Sequence, residues 1–247
     1  MHHGSETGAA VADGNRAGRV YGGRSPAERE AARRQALVNA AIDTLAAGEK
    51  LTVRGLCTRT GLTSRYFYEN FTSTGALAET AYDTCVAGIA ETVAAAFATP
   101  HDLADQIAHA MNALVESLEK EPRAGHILFS HRIADPLIAR KRQESTEFFA
   151  QITAATAGTA VRSSVDVGHA AQFVVGGVTQ LLSVWLNSDD RPYTAAGGLD
   201  GPAVARLAAT MITALAAQLT EAPTSSSSSP QDPSPTTRTP PPRGDHG

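Results

Sequence analysis

The sequence predicts an all-helical protein, and three observations carry that prediction. Apolar residues recur at three- and four-residue spacing along most of the chain, beginning with Leu37, Ala40, Ala41 and Leu45. Ser, Thr, Asp and Pro stand repeatedly just ahead of these stripes, where a helix start needs an oxygen to take its free N–H groups or a residue that lacks one. Nowhere do apolar and polar residues alternate as in a half-buried strand, and no internal repeat appears.

Residues 1–24 are rich in Gly, Ala and Arg without apolar periodicity and read as a disordered basic arm. Arg16, Arg19 and Arg24 in it either reach a minor groove or stay solvated. Ser25-Pro26-Ala27-Glu28 is a capping box with Pro in the first turn, opening a helix to about Ala47 that Gly48 stops. Leu51 to Phe71 reads as two short helices about a tight turn. Thr52 caps the first, Leu56 gives its apolar contact, and Cys57 is small enough for a helix to cross close by. Gly61 supplies the turn, where a Cβ is often strained. Leu62 tucks inward, Thr63 or Ser64 caps the second helix, and Phe67 is buried while Arg65, Tyr66, Tyr68 and Asn70 offer donors.

Ser73 or Thr74 starts a long helix to about Ala98, with Leu77, Tyr82, Cys85, Ile89 and Val93 as its stripe. Thr99-Pro100-His101-Asp102 starts the next, to about Glu119. Pro122 opens a short helix through Phe129, Asp135-Pro136 one to about Gly158, and Ser163 or Ser164 a strongly apolar one to Asn187. A loop with Pro192, Gly197, Gly198 and Gly201 precedes a final helix from Pro202 to about Thr220. That makes about nine helices. Residues 222–247 form a Ser/Pro/Thr-rich tail that cannot bury enough apolar surface to fold.

Charge is segregated. The chain carries −4 overall, yet Arg16 to Phe71 holds ten cations against five acids, a local +5 that leaves −9 elsewhere. A basic face of this kind attracts a duplex by counterion release, and an acidic body suppresses non-specific sticking. The two cysteines offer neither a disulfide framework nor a metal spacing, Met1-His2-His3-Gly4 lacks an apolar signal core, and no run reaches the ~18 apolar residues a bilayer requires. A cytoplasmic, non-membrane protein is expected. His101, His109, His126 and His131 match no metal template, and no Ser-His-Asp or Cys-His pairing is visible. No cofactor, no metal and no enzymatic activity are expected. Cys57 reads as structural. Cys85 reads as a buried small hydrophobe rather than an oxidant sensor.

The stretch from Arg33 to Leu77 resembles the DNA-binding domain of the tetracycline-repressor (TetR) family. The pieces occur in order: Ala40-Ala41 in an amphipathic helix, the stop at Gly48, Leu51-Thr52-Val53-Arg54, Gly61-Leu62-Thr63, Phe67-Tyr68 with Phe71, and Leu77 in the next helix. Thr74 stands where that family usually has Lys, which weakens a phosphate contact. Arg65 stands where it often has Gly, and Glu69 lies near the expected groove face, where it repels phosphate unless it accepts from a cytosine amine. The resemblance implies a helix-turn-helix DNA-binding domain over 25–72 and an effector-binding and dimerisation domain over 73–221. Thr52, Thr63 and Ser64 at helix starts are expected to contact phosphate. Arg54 matches a base-contacting position of the family and is expected to read guanine. Arg65 and Tyr66 fall in the groove-facing turn, Tyr68 matches the family's recurrent phosphate-contacting tyrosine, and Asn70 and Thr74 complete the expected set.

Two further expectations follow. The later helices should enclose a pocket, with Tyr82, Cys85, His109, Met111, His126, Phe129, Phe148, Phe149, Phe173, Gln180 and Trp185 as candidate lining groups. Such a mixture suits an apolar effector with one or two polar atoms, although each residue alone also fits ordinary core. Ala170, Ala171, Val174, Val175, Val178, Leu181, Leu182 and Trp185 make the eighth helix apolar on most sides. Val204, Leu207, Ala208, Met211, Ile212, Leu215 and Leu219 form a stripe on the ninth. A homodimer through a four-helix bundle accounts for both, and for the mid-helix Gly176 and Gly177 if another helix approaches closely there. The combined expectation is a dimeric, cytoplasmic transcriptional regulator on double-stranded palindromic DNA, a repressor released by a small apolar effector. Its rivals are a regulator or architectural protein without effector, and a helical enzyme or binding protein whose motif is coincidental.

Overall fold

The computed structural model describes residues 25–98, 102–130, 133, 135–157, 164–187 and 198–220. Among these residues the chain forms nine helices and no strand: α1 Pro26–Ala46, α2 Val53–Thr60, α3 Ser64–Asn70, α4 Thr74–Phe97, α5 Leu103–Lys120, α6 Pro122–Phe129, α7 Pro136–Ala157, α8 Ser164–Leu186 and α9 Gly201–Thr220. The basic arm, Thr99 to His101, His131, Pro192, Gly197 and the 222–247 tail lie outside the described residues.

The start signals act as the sequence predicts. Ser25 Oγ accepts from Glu28 N at 3.2 Å, and Ser25 N donates to Glu28 Oε2 at 2.5 Å, which closes the capping box of α1. Thr52, Ser73 and Asp102 cap α2, α4 and α5 through their side-chain oxygens. Thr63 precedes α3 but makes no capping hydrogen bond. The turn between α2 and α3 rests on Gly61, whose φ is +70°. No atom lies within 4 Å of an added Cβ there, so a substitution costs backbone strain alone. Gly61→Ala is expected to lower the unfolding free energy by about 1–2 kcal/mol, read from the midpoint of a urea titration.

α1 buries Leu37, Val38, Ala40, Ala41, Ile42 and Leu45, and α2, α3, α4 and α6 all pack on it. In the rest of the chain α5 lies along α4 and α9, and α7 lies along α8. The short α6 touches α1, α4, α5 and α8. Gly125 allows this, because a Cβ there would stand 3.0 Å from Leu186 Cδ1 and 3.5 Å from Leu118 Cδ2. One continuous apolar cluster runs from Leu37 through Phe67, Leu77 and Ile127 to Val204. The core therefore does not break between residues 72 and 73.

Ion pairs stitch the same junctions. Arg123 of α6 reaches Asp43 of α1 at 2.5 Å and Glu121 at 2.6 Å. On α7, Arg140 pairs with Glu79 at 2.8 Å and Lys141 with Asp83 at 2.6 Å, both on α4.

Two features of α8 and α9 bear on what the sequence led us to expect. Val167–Leu186 and Gly201–Leu219 are long and apolar enough to cross a membrane by length and composition, which corrects the expectation that no segment is. They pass because polar residues such as His169, Gln172 and Gln180 are too few to lower the average, although no run is unbroken. Second, no atom of the described residues comes within 4 Å of a Cβ added at Gly176 or Gly177. The close helix approach expected there from a second copy is thus not supplied by the described residues of one chain.

Candidate nucleic-acid interface and effector cavity

α2 and α3 expose one polar surface. On α3, Phe67 is fully buried and Phe71 nearly so, which turns Ser64, Arg65, Tyr68 and Glu69 outward. Tyr68 is 63% exposed and stacks edge-on against the Phe67 ring at 5.2 Å, so its base is held while its hydroxyl reaches solvent. Arg65 Nε donates to Glu69 Oε1 at 2.8 Å. That hydrogen bond and the charge of Glu69 raise the Arg65 pKa, and the exposed pair opens at little cost when an anion approaches. Arg33 of α1 lies 4.8 Å above the Tyr66 ring, fixing a half-turned aromatic beside Arg65.

The rest of the expected DNA-contacting set is placed as follows. Arg54 and Thr52 are exposed on α2, where with Gly55, Thr58 and Arg59 they border a shallow open depression. Thr52 already accepts from Gly55 N at 3.1 Å. The hydroxyl of Thr63, exposed and without a capping bond, remains available. Thr74, half-buried, begins α4. Asn70 is half-buried, its Nδ2 donating to Tyr66 O at 2.9 Å, which satisfies a carbonyl at the end of α3.

A cavity of about 260 Å³ opens inside the body, between α4, α5, α6, α7 and α8, with Ile212 of α9 at its edge. Val86, Ile89, Ile107, Leu114, Val174 and Val178 make most of its wall apolar. Tyr82, Met111, Phe129, Phe149 and Gln180, all expected on this wall, are brought together there. Cys85, His109, His126, Phe148, Phe173 and Trp185 are not. Cys85 faces the core, where burial pushes its thiol up to about 11, so it stays protonated at neutral pH. His109 is exposed, with Nδ1 2.8 Å from Asp105 O. His126 and Trp185 are half-buried outside the wall. Phe148 and Phe173 project outward, Phe173 at 74% exposure. No group of three metal-ligating side chains occurs among the described residues.

Sequence reasoning missed Arg142. It sits on the cavity wall with Ser145, Thr146 and Phe149. Its Nε and Nη2 donate to Ile127 O of α6 at 3.1 and 2.7 Å. The available signal was its register, since Ile138, Arg142, Ser145 and Phe149 fall at helical spacing on one face. Burial raises the pKa of the neighbouring Tyr82 phenol, and contact with Ser145 acts the other way.

No protein-family model matches the chain, and no curated protein matches it. Solved structures match it in fold. A TetR-like transcriptional regulator from Rhodococcus sp. RHA1 is 15% identical, with a TM-score of 0.57 over 76% of this chain and 95% of its own. The fatty acid degradation regulator FadR from Bacillus halodurans is 10% identical, with a TM-score of 0.59 over 77% and 96%. FadR from Bacillus subtilis, solved with stearoyl-CoA, is 12% identical, with a TM-score of 0.59 over 72% and 96%. The chain has the TetR fold. The likeness first visible over residues 33–77 thus extends, as architecture, across about three quarters of the molecule. α1–α3 precede the helices α4–α8 that, with Ile212 of α9, enclose the cavity.

Proposed function

We propose that this chain is a dimeric, cytoplasmic DNA-binding transcriptional regulator, a repressor that a small effector in the body releases from its operator. One observation carries the reading. An exposed two-helix unit bearing Arg54, Arg65 and Tyr68 shares one continuous core with a body that holds a mostly apolar cavity. Such a core lets occupancy at one end bias geometry at the other. The TetR fold supports the reading, and the stearoyl-CoA found with FadR from Bacillus subtilis supports a small-molecule effector.

Thr52, Arg54, Thr63, Ser64, Arg65, Tyr66 and Tyr68 present the DNA-contacting surface, and Thr74 flanks it. Asn70 stands at its edge and orders the end of α3. Two copies place their readers in successive major grooves, about 34–36 Å apart. The effector shifts this spacing only by the difference of its affinities for the two states. Two routes join cavity to reader. α4 runs from Thr74 beside the reader to Phe97 on the cavity wall. α6 presents Leu128 and Phe129 to the cavity and ties Arg123 to Asp43 of α1.

Selection of random duplexes on the purified protein tests the reading. A two-fold-symmetric site should be enriched, and its binding should fall on Arg65→Ala or Tyr68→Ala. Absence of any enriched duplex would overturn it. Thr74→Lys is expected to tighten binding evenly across sequences and to add about one unit to the salt slope, measured by titration at several salt concentrations.

A further inference from the structure

Arg142 is built for a partner that the described residues do not supply. Its neighbours on α7 are matched with acids: Arg140 with Glu79 and Glu144, Lys141 with Asp83 and Glu144. Among the described residues Arg142 meets no carboxylate, only the neutral oxygen of Ile127, and Nη1 has no acceptor. Among the described residues it is the one charged side chain on the cavity wall. Burial lowers its pKa from the ordinary arginine value. A guanidinium stays charged even so, and a half-desolvated charge without a counter-ion is costly to hold.

Three of the hydroxyls on the wall are already engaged as donors, while Tyr82, Thr153, Thr179 and Gln180 add further polar atoms to it. Ser145 and Thr146 donate to the carbonyls of Lys141 and Arg142 at 2.9 Å each, and Ser183 donates to Phe129 O at 2.8 Å. They offer an incoming ligand lone pairs, not protons. An apolar chamber with one uncompensated cation selects an amphiphile with one negative charge. A single guanidinium balances a carboxylate, whereas a phosphate dianion would leave a buried charge over. A volume of about 260 Å³ accommodates a ligand body on the order of ten non-hydrogen atoms.

We propose that the effector is a small monocarboxylic acid with an apolar body, its carboxylate held by Arg142 and its body lying against Ile89, Met111 and Phe149. This rests on the reading of the cavity as the effector site. The occupant draws the guanidinium partly away from Ile127 O and so loosens α6, the helix that carries Arg123 to α1.

Calorimetric titration of the full chain with sodium octanoate and with 1-octanol, below their aggregation limits, tests the proposal. Octanoate is expected to bind at least tenfold more tightly than octanol. Arg142→Met should erase that preference while octanol binding persists, and Arg142→Lys should retain part of it, with circular dichroism verifying the fold of each. The wild-type comparison stands alone if a variant does not fold. Equal or tighter binding of octanol would overturn the carboxylate while leaving the cavity as a site. A preference that survives Arg142→Met would overturn the role of this arginine. Binding of neither compound would overturn the cavity reading along with the proposal.

Discussion

Phe67→Ala is expected to cost about 3–5 kcal/mol of stability and to abolish duplex binding. α2 and α3 have eight and seven residues, far below the length at which a helix persists alone in water. α3 also lacks a side-chain cap. Its helicity therefore comes from packing, and Phe67 is the packing: it is fully buried, edge-on to Tyr68 at 5.2 Å and tilted against Phe71 at 6.2 Å. Removing the ring leaves a cavity under the exposed face and frees Tyr68. Because the cluster is continuous into the body, the loss should appear in the global urea midpoint, out of a total stability on the order of 5–15 kcal/mol. Tyr68→Ala is the contrast, with a stability change within about 0.5 kcal/mol and a clear loss of duplex affinity. A Phe67→Ala change below about 1 kcal/mol would show that α3 is held by something else.

Helix starts and the tight turn were legible because their causes are local. Ser25, Thr52, Ser73 and Asp102 act within three residues of themselves, and Gly61 within one. The buried face of α1 was legible for the same reason, since its opposite face is polar. α8 and α9 are apolar on most sides, so periodicity cannot say which side meets which neighbour. Phe173 was thus assigned to the cavity, whereas Val174, Val175 and Val178 line it and Phe173 points out. On α9 a single stripe was read where the structure separates two, with Val204 and Ala208 inside and Leu207 and Met211 outside.

Long-range pairs carry no local mark. Arg123 and Asp43 are 80 residues apart, and either alone reads as a solvated charge. Arg142 was hidden within Arg140-Lys141-Arg142, a run that resembles an exposed basic turn. Only the position of α6 shows that the third cation faces inward. The hydrogen bond of Asn70 to Tyr66 O has no mark in the sequence either, since a side chain with free donors reads the same whether or not it meets its own helix end.

Replacing Phe173 and Met211 together by Asp is expected to convert the proposed dimer to monomers. These are the most exposed large apolar side chains of α8 and α9, at 74% and 64%. Beside Phe173, Gly176 and Gly177 leave a smooth strip that nothing among the described residues fills, which suits the close approach of a second copy. A two-fold axis counts each substitution twice. Four large side chains at roughly 1.5–3 kcal/mol each amount to on the order of 6–12 kcal/mol, before repulsion among the new carboxylates. Light scattering should then report one 25.7 kDa chain in place of two. Affinity for a symmetric duplex should collapse toward that for a half-site, since a lone reader gains no help from a second. Neither residue lines the cavity, so octanoate binding should survive, which separates loss of assembly from loss of fold. A variant that remains dimeric while retaining full duplex affinity would place the interface elsewhere, and the exposed apolar faces of α8 and α9 would then need a different occupant.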